Sequence, residues 1–269
     1  MKHTPRPAPQ RRTPPIVSKI LERGTNATVG ILRTTPTCVL KWPHPNDDAM
    51  KSFEAEKRVL NLLGRHRFVV QLLWASETGL CFEYHPFRSI RHYYRHNEFP
   101  AATQRYRWCH QLVSGFAYIH SKNIIHHDIS TRNVLLSSGL NVQICDFGSA
   151  TLQGEEAHGL AEFRYSFGRT SLSWEATFQY DLFCMGALFY EIILGKVPNA
   201  ELNRSDVVER FKRQSFPSLD EIEPGYAAVI DNCWHDKYSS IQQLEAGLPS
   251  FQDTNLACNP TGEGISSDL

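Results

Sequence analysis

The feature that most constrains this chain is a pair of polar motifs near its middle. Residues 125–136 read IHHDISTRNVLL, and residues 144–148 read ICDFG after a short pair of β-type runs. Asp128 and Asn133 stand five positions apart, so both can project from one loop into one site. Asp146 follows Asn133 by thirteen positions, and a chance pairing of the two motifs is a negligible explanation. We therefore expect one site in which carboxylate and amide oxygens converge.

These motifs resemble the catalytic loop H-R-D-x-x-x-x-N and the metal-binding turn D-F-G of protein kinases. The resemblance covers residues 16–249. It implies an ATP-dependent protein kinase that transfers the γ-phosphoryl group to a serine or threonine hydroxyl, with tyrosine as the alternative acceptor. It also implies that Asp128 orients the attacking hydroxyl. Asn133 and Asp146 would hold Mg²⁺, with Mn²⁺ as a substitute, against the phosphates of ATP.

Residues upstream match the nucleotide-positioning elements of the same family. Cys38–Trp42 resembles the strand V-A-I-K, which implies that Lys41 contacts the α- and β-phosphates. A helix glutamate should pair with this lysine. Glu56 is preferred to Glu54, because the apolar residues that follow it then fall in the expected frame. By the same resemblance, residues 81–85 form the hinge that hydrogen-bonds adenine. The expected nucleotide-binding residues are Gly24, Val29, Lys41, Glu56, Glu83, His85, Leu135 and Asp146.

The first part of the chain has the pattern of a small β-rich lobe with one helix. β-type runs between residues 16 and 42 are separated by Gly, Asn and Pro residues, and two more follow at 68–74 and 80–84. Residues 47–64 show helical spacing, with helix-start chemistry at Asn46 and a glycine at the end. The apolar face of that helix is predicted to hold Met50, Phe53, Val59, Leu60, Leu62 and Leu63.

Residues 87–249 have the pattern of a larger, mainly α-helical lobe that follows the first lobe at residues 16–84. Amphipathic or buried helices are predicted over 101–121 and 179–194. The resulting fold class is α+β, with the two lobes of a protein kinase. The segment around Asp181 resembles the family motif D-x-W-S-x-G, which implies that this side chain accepts backbone hydrogen bonds from the catalytic loop.

The composition of the chain limits the classes of partner that we expect it to bind. A formal net charge of zero argues against nucleic-acid and membrane partners, and no run approaches the roughly 20 apolar residues that span a bilayer. The start of the chain does not read as a secretory signal, and the seven scattered cysteines form no CxxC pair, so an intracellular location is expected. Disordered tails are expected at 1–15 and 250–269, the first a basic, Pro-rich candidate for a polyproline-binding partner. The protein substrate stays unknown.

Four departures from the family pattern bear on activity. The loop G-x-G-x-x-G-x-V keeps only Gly24, and Glu22 brings a carboxylate near the nucleotide, so weaker ATP binding is expected. His127 replaces the arginine that pairs with a phosphorylated activation segment, so activity should not depend on that phosphorylation. Phe167–Arg169 stands in place of A-P-E, which suggests a loosened substrate-docking region. Arg132 matches the tyrosine-kinase form of the loop, and the acceptor class stays open.

Other functions are consistent with these residues. A pseudokinase scaffold with weak or no catalysis is favoured by Glu22, by His127 and by the missing A-P-E element. A small-molecule phosphotransferase of the aminoglycoside or choline type shares H-x-D-x-x-x-x-N but usually lacks D-F-G. The small kinase of the KEOPS complex is another compact relative. An active protein kinase is preferred, because the losses fall in docking and regulatory parts whereas the chemical set is complete.

Overall fold

The structure, a computed structural model, describes residues 13–156, 161–166 and 177–251. The two predicted tails lie almost entirely outside these ranges, and Phe167–Arg169 lies outside them as well.

An antiparallel sheet of five strands and one helix forms the first lobe. Its elements are β1 Val17–Arg23, β2 Ala27–Leu32, β3 Cys38–Pro43, α1 Asp47–Leu63, β4 Leu72–Ala75 and β5 Leu80–Glu83. The strand order is β1-β2-β3-β5-β4, so the helix joins β3 to the far edge of the sheet. The Val/Ile/Leu-rich runs and the Gly, Asn and Pro residues between them are typical of such hairpins. The predicted β-rich region with one helix is confirmed.

Helix α1 begins and ends where the sequence predicts. The Asn46 side chain accepts a hydrogen bond from the backbone N–H of Ala49 at 2.9 Å, and Gly64 ends the helix at φ +61°. The predicted apolar face is wrong at two positions, because Met50 is 38% exposed and Leu62 is 50% exposed. Met50 and Leu62 each lie next in sequence to a buried residue of this helix, and one position along a helix turns the side chain by roughly 100°. The buried stripe consists of Ala49, Phe53, Glu56, Val59, Leu60 and Leu63.

The second lobe is mainly helical, with short strands around the candidate site. Its elements are α2 Ile90–His96, α3 Ala102–Ser121, β6 Ile124–Ile125, a 3₁₀ turn Thr131–Asn133, β7 Val134–Leu136, β8 Val142–Ile144, β9 Thr151–Leu152, α4 Phe178–Leu194, α5 Arg204–Lys212, α6 Pro224–Trp234 and α7 Ile241–Gly247. Strands β6 and β9 pair, as do β7 and β8. The predicted α+β fold class with a helical second lobe is confirmed.

Residues 68–74, predicted as one strand, divide between the two lobes. Only Leu72 and the residues after it join the first sheet, as β4. The backbone N–H of Val70 donates to the carbonyl of Ile144 at 3.0 Å, and the N–H of Ile144 donates to the carbonyl of Phe68 at 2.8 Å. The run is apolar because Phe68 to Val70 are buried against β8, so apolar character alone could not locate the strand.

Helix α4 lies at the centre of the second lobe, and every residue from Tyr180 to Ile193 is buried. Helix α6 approaches it closely at Gly186, where an added Cβ would lie 2.8 Å from the Cβ of Cys233. Only glycine permits this approach without movement of α6. Two buried acidic side chains, Asp181 and Glu191, interrupt this largely apolar helix.

Among the residues that the structure describes, no helix combines the length and the apolar character that crossing a membrane requires.

Candidate active site

A cleft of about 280 Å³ lies between the two lobes. Apolar side chains enter it from both sides, Val29 from β2 and Leu135 from β7, and Phe82 of β5 lines it as well. A concave, partly apolar site with a few charged groups is typical of ligand binding. Every residue predicted to touch nucleotide, metal or acceptor lines this cleft: Gly24, Val29, Lys41, Glu56, Glu83, His85, Asp128, Asn133, Leu135 and Asp146.

Lys41 of β3 is held between two carboxylates. Its Nζ lies 2.6 Å from Oε2 of Glu56 and 2.7 Å from Oδ1 of Asp146. Burial alone would lower the pKa of Lys41, but the charges and hydrogen bonds of Asp146 and Glu56 raise it well above its usual value. The ammonium therefore stays charged at neutral pH. Glu54, the alternative partner, is exposed on the other side of α1.

Asp146 combines a constrained backbone with an accessible carboxylate. Its φ is +65°, a left-handed conformation that non-glycine residues adopt mainly where the surrounding structure enforces it. Burial would raise the pKa of this carboxyl, but the charge and hydrogen bond of Lys41 lower it below its usual value. Because the side chain is 45% exposed and stays ionised, it is available to a cation in the cleft.

Asn133 fixes the position of Asp128. Its amide nitrogen donates to the backbone carbonyl of Asp128 at 2.7 Å and to the carboxylate at 2.9 Å. The 3₁₀ turn between them, closed by a hydrogen bond from the N–H of Asn133 to the carbonyl of Ser130, makes this return contact possible. Burial, together with the negative charge of Asp146, raises the pKa of Asp128. The carboxylate is thus oriented and made more basic.

Asp181 of α4 holds the catalytic loop (residues 126–133) through backbone hydrogen bonds, as the resemblance predicts. Its carboxylate accepts hydrogen bonds from the backbone N–H groups of His126 at 2.8 Å and of His127 at 3.0 Å. The ring Nε2 of His120 lies 3.1 Å from the same carboxylate. Burial would raise the pKa of Asp181, but the hydrogen bond and charge of His120 lower it. The loop conformation, including φ +64° at His127, therefore depends on one buried carboxylate.

His126 connects the catalytic loop to the strand before Asp146. Its Nδ1 accepts from the backbone N–H of Asp128 at 3.3 Å, and its Nε2 lies 3.0 Å from the carbonyl oxygen of Cys145. Since Nδ1 accepts, we assign the ring proton to Nε2, which then donates to that carbonyl. The sequence indicated this residue only as part of the motif, and its bridging contact was missed.

Two residues beside the degraded glycine loop, Arg88 and His44, make contacts that the sequence did not reveal. Arg88 donates to the backbone carbonyl of Leu21 at 3.0 Å and pairs with the Glu22 carboxylate at 3.2 Å. The expected negative charge of Glu22 at the nucleotide is therefore offset by a neighbouring cation. His44, just beyond β3, contacts the loop from the other side: its ring nitrogens lie 2.9 Å from the carbonyl oxygen of Thr25 and 3.1 Å from Oγ1 of Thr28.

His44→Phe is expected to weaken ATP binding by up to roughly thirtyfold, because two hydrogen bonds of about 1 kcal/mol each no longer hold the loop. His44→Asn should recover about half of this loss in binding free energy, because its amide nitrogen can replace ring Nδ1 as the donor to Thr25, whereas the contact with Thr28 stays lost. Isothermal titration with ATP and Mg²⁺ measures both dissociation constants. An unchanged dissociation constant in a folded His44→Phe variant would show that the loop does not need this contact.

The side chains in the cleft fit a magnesium ion held partly by phosphate. In the described ranges, no three His, Cys, Asp or Glu side chains converge as a complete metal site. Magnesium, however, is commonly bound by one or two protein ligands together with phosphate oxygens and water. Asp146 supplies an ionised carboxylate, and Asn133, whose amide nitrogen is directed to Asp128, can offer its carbonyl oxygen. This oxygen donor set suits a hard cation.

A lysine–glutamate pair in the first lobe, opposite a catalytic-loop aspartate and asparagine in the second, defines a protein kinase domain. Sequence comparison agrees, since the family described as "Protein tyrosine and serine/threonine kinase" matches residues 19–246. The chain belongs to this family.

Curated relatives include both acceptor classes. A probable serine/threonine-protein kinase of Dictyostelium discoideum is 27% identical over 204 residues, which cover 71% of this chain and 22% of that protein. A discoidin domain-containing receptor tyrosine kinase B of Caenorhabditis elegans is 28% identical over 226 residues, which cover 76% of this chain and 27% of that protein. The chain thus spans about a quarter of the length of these relatives.

Proposed function

We propose that this chain is an ATP-dependent protein kinase that transfers the γ-phosphoryl group to a serine or threonine hydroxyl of a protein. The contact of Lys41 with both Glu56 and Asp146 is the observation that carries the proposal. In protein kinases the lysine–glutamate pair and the metal-binding aspartate must be in place together for transfer to occur. Tyrosine is the alternative acceptor, because relatives of both classes match the chain.

The residues of the cleft divide the chemistry between the two lobes. Lys41, kept charged by Glu56, neutralises α- and β-phosphate oxygens. Asp146 and Asn133 would hold a magnesium ion, which would supply further positive charge against the phosphates. Asp128 orients the acceptor hydroxyl and takes its proton as the new oxygen–phosphorus bond forms and the bond from the γ-phosphorus to ADP breaks. Positioning and charge stabilisation account for most of the expected rate.

The contacts of the glycine loop support the enzyme over a scaffold without nucleotide. The scaffold hypothesis rested partly on Glu22, whose carboxylate is paired with Arg88 at the mouth of the cleft. The remaining test is direct binding. The melting temperature of the chain should rise with ATP and Mg²⁺, since a ligand that binds the native state stabilises it by about 2.7 kcal/mol at a hundredfold excess over Kd. No rise at millimolar ATP would favour the scaffold.

Asp128→Asn is expected to lower phosphate incorporation into a generic protein substrate by ~10²-fold or more, because general-base catalysis contributes about this much. The same variant should keep the nucleotide-dependent rise in melting temperature, because Asp128 does not hold the phosphates. The measurement is the incorporation of labelled phosphate, and the control is Asp220→Asn, the same substitution at an exposed carboxylate of the same lobe. Equal incorporation in Asp128→Asn and wild type would remove Asp128 from the reaction.

A further inference from the structure

A cluster of ion pairs at the edge of the nucleotide cleft joins the activation segment, residues 146–169, to the catalytic loop. Glu162 lies in the short described stretch 161–166 of this segment. Its Oε1 is 2.7 Å from Nη1 of Arg91 on α2 and 2.7 Å from Nε of Arg132 in the 3₁₀ turn. One carboxylate therefore bridges two arginines from different elements.

The arginine on α2 belongs to a wider, partly buried network. Arg91 also donates to the hydroxyl of Tyr165 at 2.9 Å and to that of Thr131 at 3.2 Å, and it lies 3.5 Å from the carboxylate of Glu191 on α4. Tyr165, Thr131 and Glu191 are all buried. Two arginines thus balance two glutamates, so that no uncompensated charge is left in a region where one would be costly.

The second arginine brings this network to the reacting groups. Arg132 lies in the turn between Asp128 and Asn133, and its Nη2 is 3.8 Å from the carboxylate of Asp128. A shift of the activation segment at Glu162 would release Arg132, whose side chain contacts the carboxylate expected to orient the acceptor. Arg132 therefore links Glu162 of the activation segment to Asp128 of the catalytic loop.

A buried histidine stands in place of the arginine that usually receives an activating phosphate. Kinases that are switched by phosphorylation order the activation segment through new pairs between arginine and a phosphorylated residue. In this chain His127 stands at the arginine of H-R-D, and its ring is fully buried and bonded to Oγ1 of Thr151 at 2.8 Å. A phosphate has no route to this ring without unpacking β9.

We propose that Glu162 is a built-in anion that performs the task of an activating phosphate: it fixes the activation segment on the catalytic loop, so that the kinase is active without phosphorylation. This inference rests on the proposed kinase function. Glu162 acts through Arg91 and Arg132 and is therefore a positioning residue. The carboxylate is part of the amino-acid sequence, so its contacts with Arg91 and Arg132 need no upstream kinase.

The first experiment separates this inference from the function on which it rests. The chain is produced in bacteria and treated with phosphatase, and mass spectrometry verifies that no phosphate remains. The dephosphorylated chain should transfer phosphate to a protein substrate at a rate within about twofold of that of the untreated chain. Kinases that depend on an activating phosphate lose far more of their activity on dephosphorylation. Activity that is lost on dephosphorylation and regained after incubation with ATP would overturn the inference and keep the kinase function. Inactivity of both forms, with several substrates, would overturn the kinase function as well.

The second experiment tests the residue itself. Glu162→Gln keeps the shape but removes the charge, and it should lower kcat/KM for the protein substrate roughly tenfold, about the loss of one charge-assisted hydrogen bond. The Kd for ATP should stay unchanged, because the nucleotide residues are not touched. Glu162→Asp, which keeps the carboxylate, should recover part of the loss, and Glu156→Gln, at an exposed position of the same segment, should have no effect.

The outcomes distinguish positioning from two other roles. Higher activity in Glu162→Gln would show that the ion pairs hold Arg132 in an inhibitory position, and it would overturn the inference. A fall in melting temperature with equal loss of ATP binding and of acceptor turnover would show a merely structural contact. A lower kcat/KM for the protein substrate with an unchanged Kd for ATP, and partial recovery of kcat/KM in Glu162→Asp, would support the role of Glu162 as a built-in anion.

Discussion

Asp146→Asn is expected to abolish the magnesium-dependent part of nucleotide binding and to lower phosphoryl transfer by at least ~10²-fold, by analogy with the loss of other preorganised charge-stabilising groups. The wild-type carboxylate is ionised, because Lys41 lowers its pKa, and it is accessible from the cleft. An asparagine has nearly the same shape but no charge, so the hard cation loses its main protein ligand. Lys41 also loses one of its two carboxylate partners but keeps Glu56.

The measurement is the melting temperature with ATP alone and with ATP plus Mg²⁺. In the wild type the metal should add to the stabilisation, whereas in Asp146→Asn the two curves should coincide. Asp128→Asn is the matched control, since it removes a neighbouring carboxylate of the cleft yet should keep the metal-dependent rise. A magnesium-dependent rise of wild-type size in Asp146→Asn would remove this residue from the metal site, whatever its effect on activity.

Asp181→Ala is expected to destabilise the fold by about 3–5 kcal/mol, as the removal of one member of a buried charged network usually does. The change leaves the backbone N–H groups of His126 and His127 without their acceptor in the interior. Buried donors that lose their partner cost more than the mean value of a hydrogen bond. Denaturant unfolding measures the change, and activity should fall with it because the catalytic loop loses its support.

Two variants separate this effect from simple loss of volume or surface charge. Asp181→Asn keeps the size but turns an amide nitrogen toward one of the two backbone donors, so it should also be strongly destabilising. Asp231→Ala removes a half-exposed carboxylate that pairs with Lys237 at 2.9 Å and with His235 at 3.0 Å, and it should change stability by less than about 1 kcal/mol. A wild-type unfolding free energy in Asp181→Asn would show that the loop is held by other contacts.

The same carboxylate predicts a limit to acid stability. Because the pKa of Asp181 is lower in the folded chain than its usual value, its contribution is present above about pH 4, near the unfolded pKa, and is lost as the pH falls through the folded value. The difference in unfolding free energy between wild type and Asp181→Asn should therefore narrow at low pH.

Local chemistry in the sequence was sufficient to predict much of the fold and the convergence of the candidate site. Asn46 and Gly64 place the ends of α1, because caps act on the nearest backbone groups. Asp128 and Asn133 are only five positions apart, so their spacing alone places both on one loop. Where only apolar character was available, the prediction was wrong, as at Met50 and Leu62, since apolar residues are also common on surfaces.

Contacts between distant segments could not be predicted where no family motif carries them. The pair of Arg88 with Glu22 joins residues 66 positions apart, and the pair of Arg91 with Glu162 joins residues 71 positions apart. Neither has a periodic signal, because each depends on the path of the chain between the two residues. Glu162 would have looked like an ordinary solvated charge, and only its position between two arginines distinguishes it.

The hydrogen bonds of Phe68 and Val70 to β8 give the two lobes a second junction between backbone segments, besides the chain that follows β5. A body joined to another at one point can tilt in several directions, whereas two separated junctions leave a single axis of rotation. Cleft opening should then be a one-dimensional swing that moves the glycine loop against the catalytic loop but leaves the distance from β8 to Phe68 unchanged. Nucleotide exchange in this chain would be governed by the stiffness of that axis.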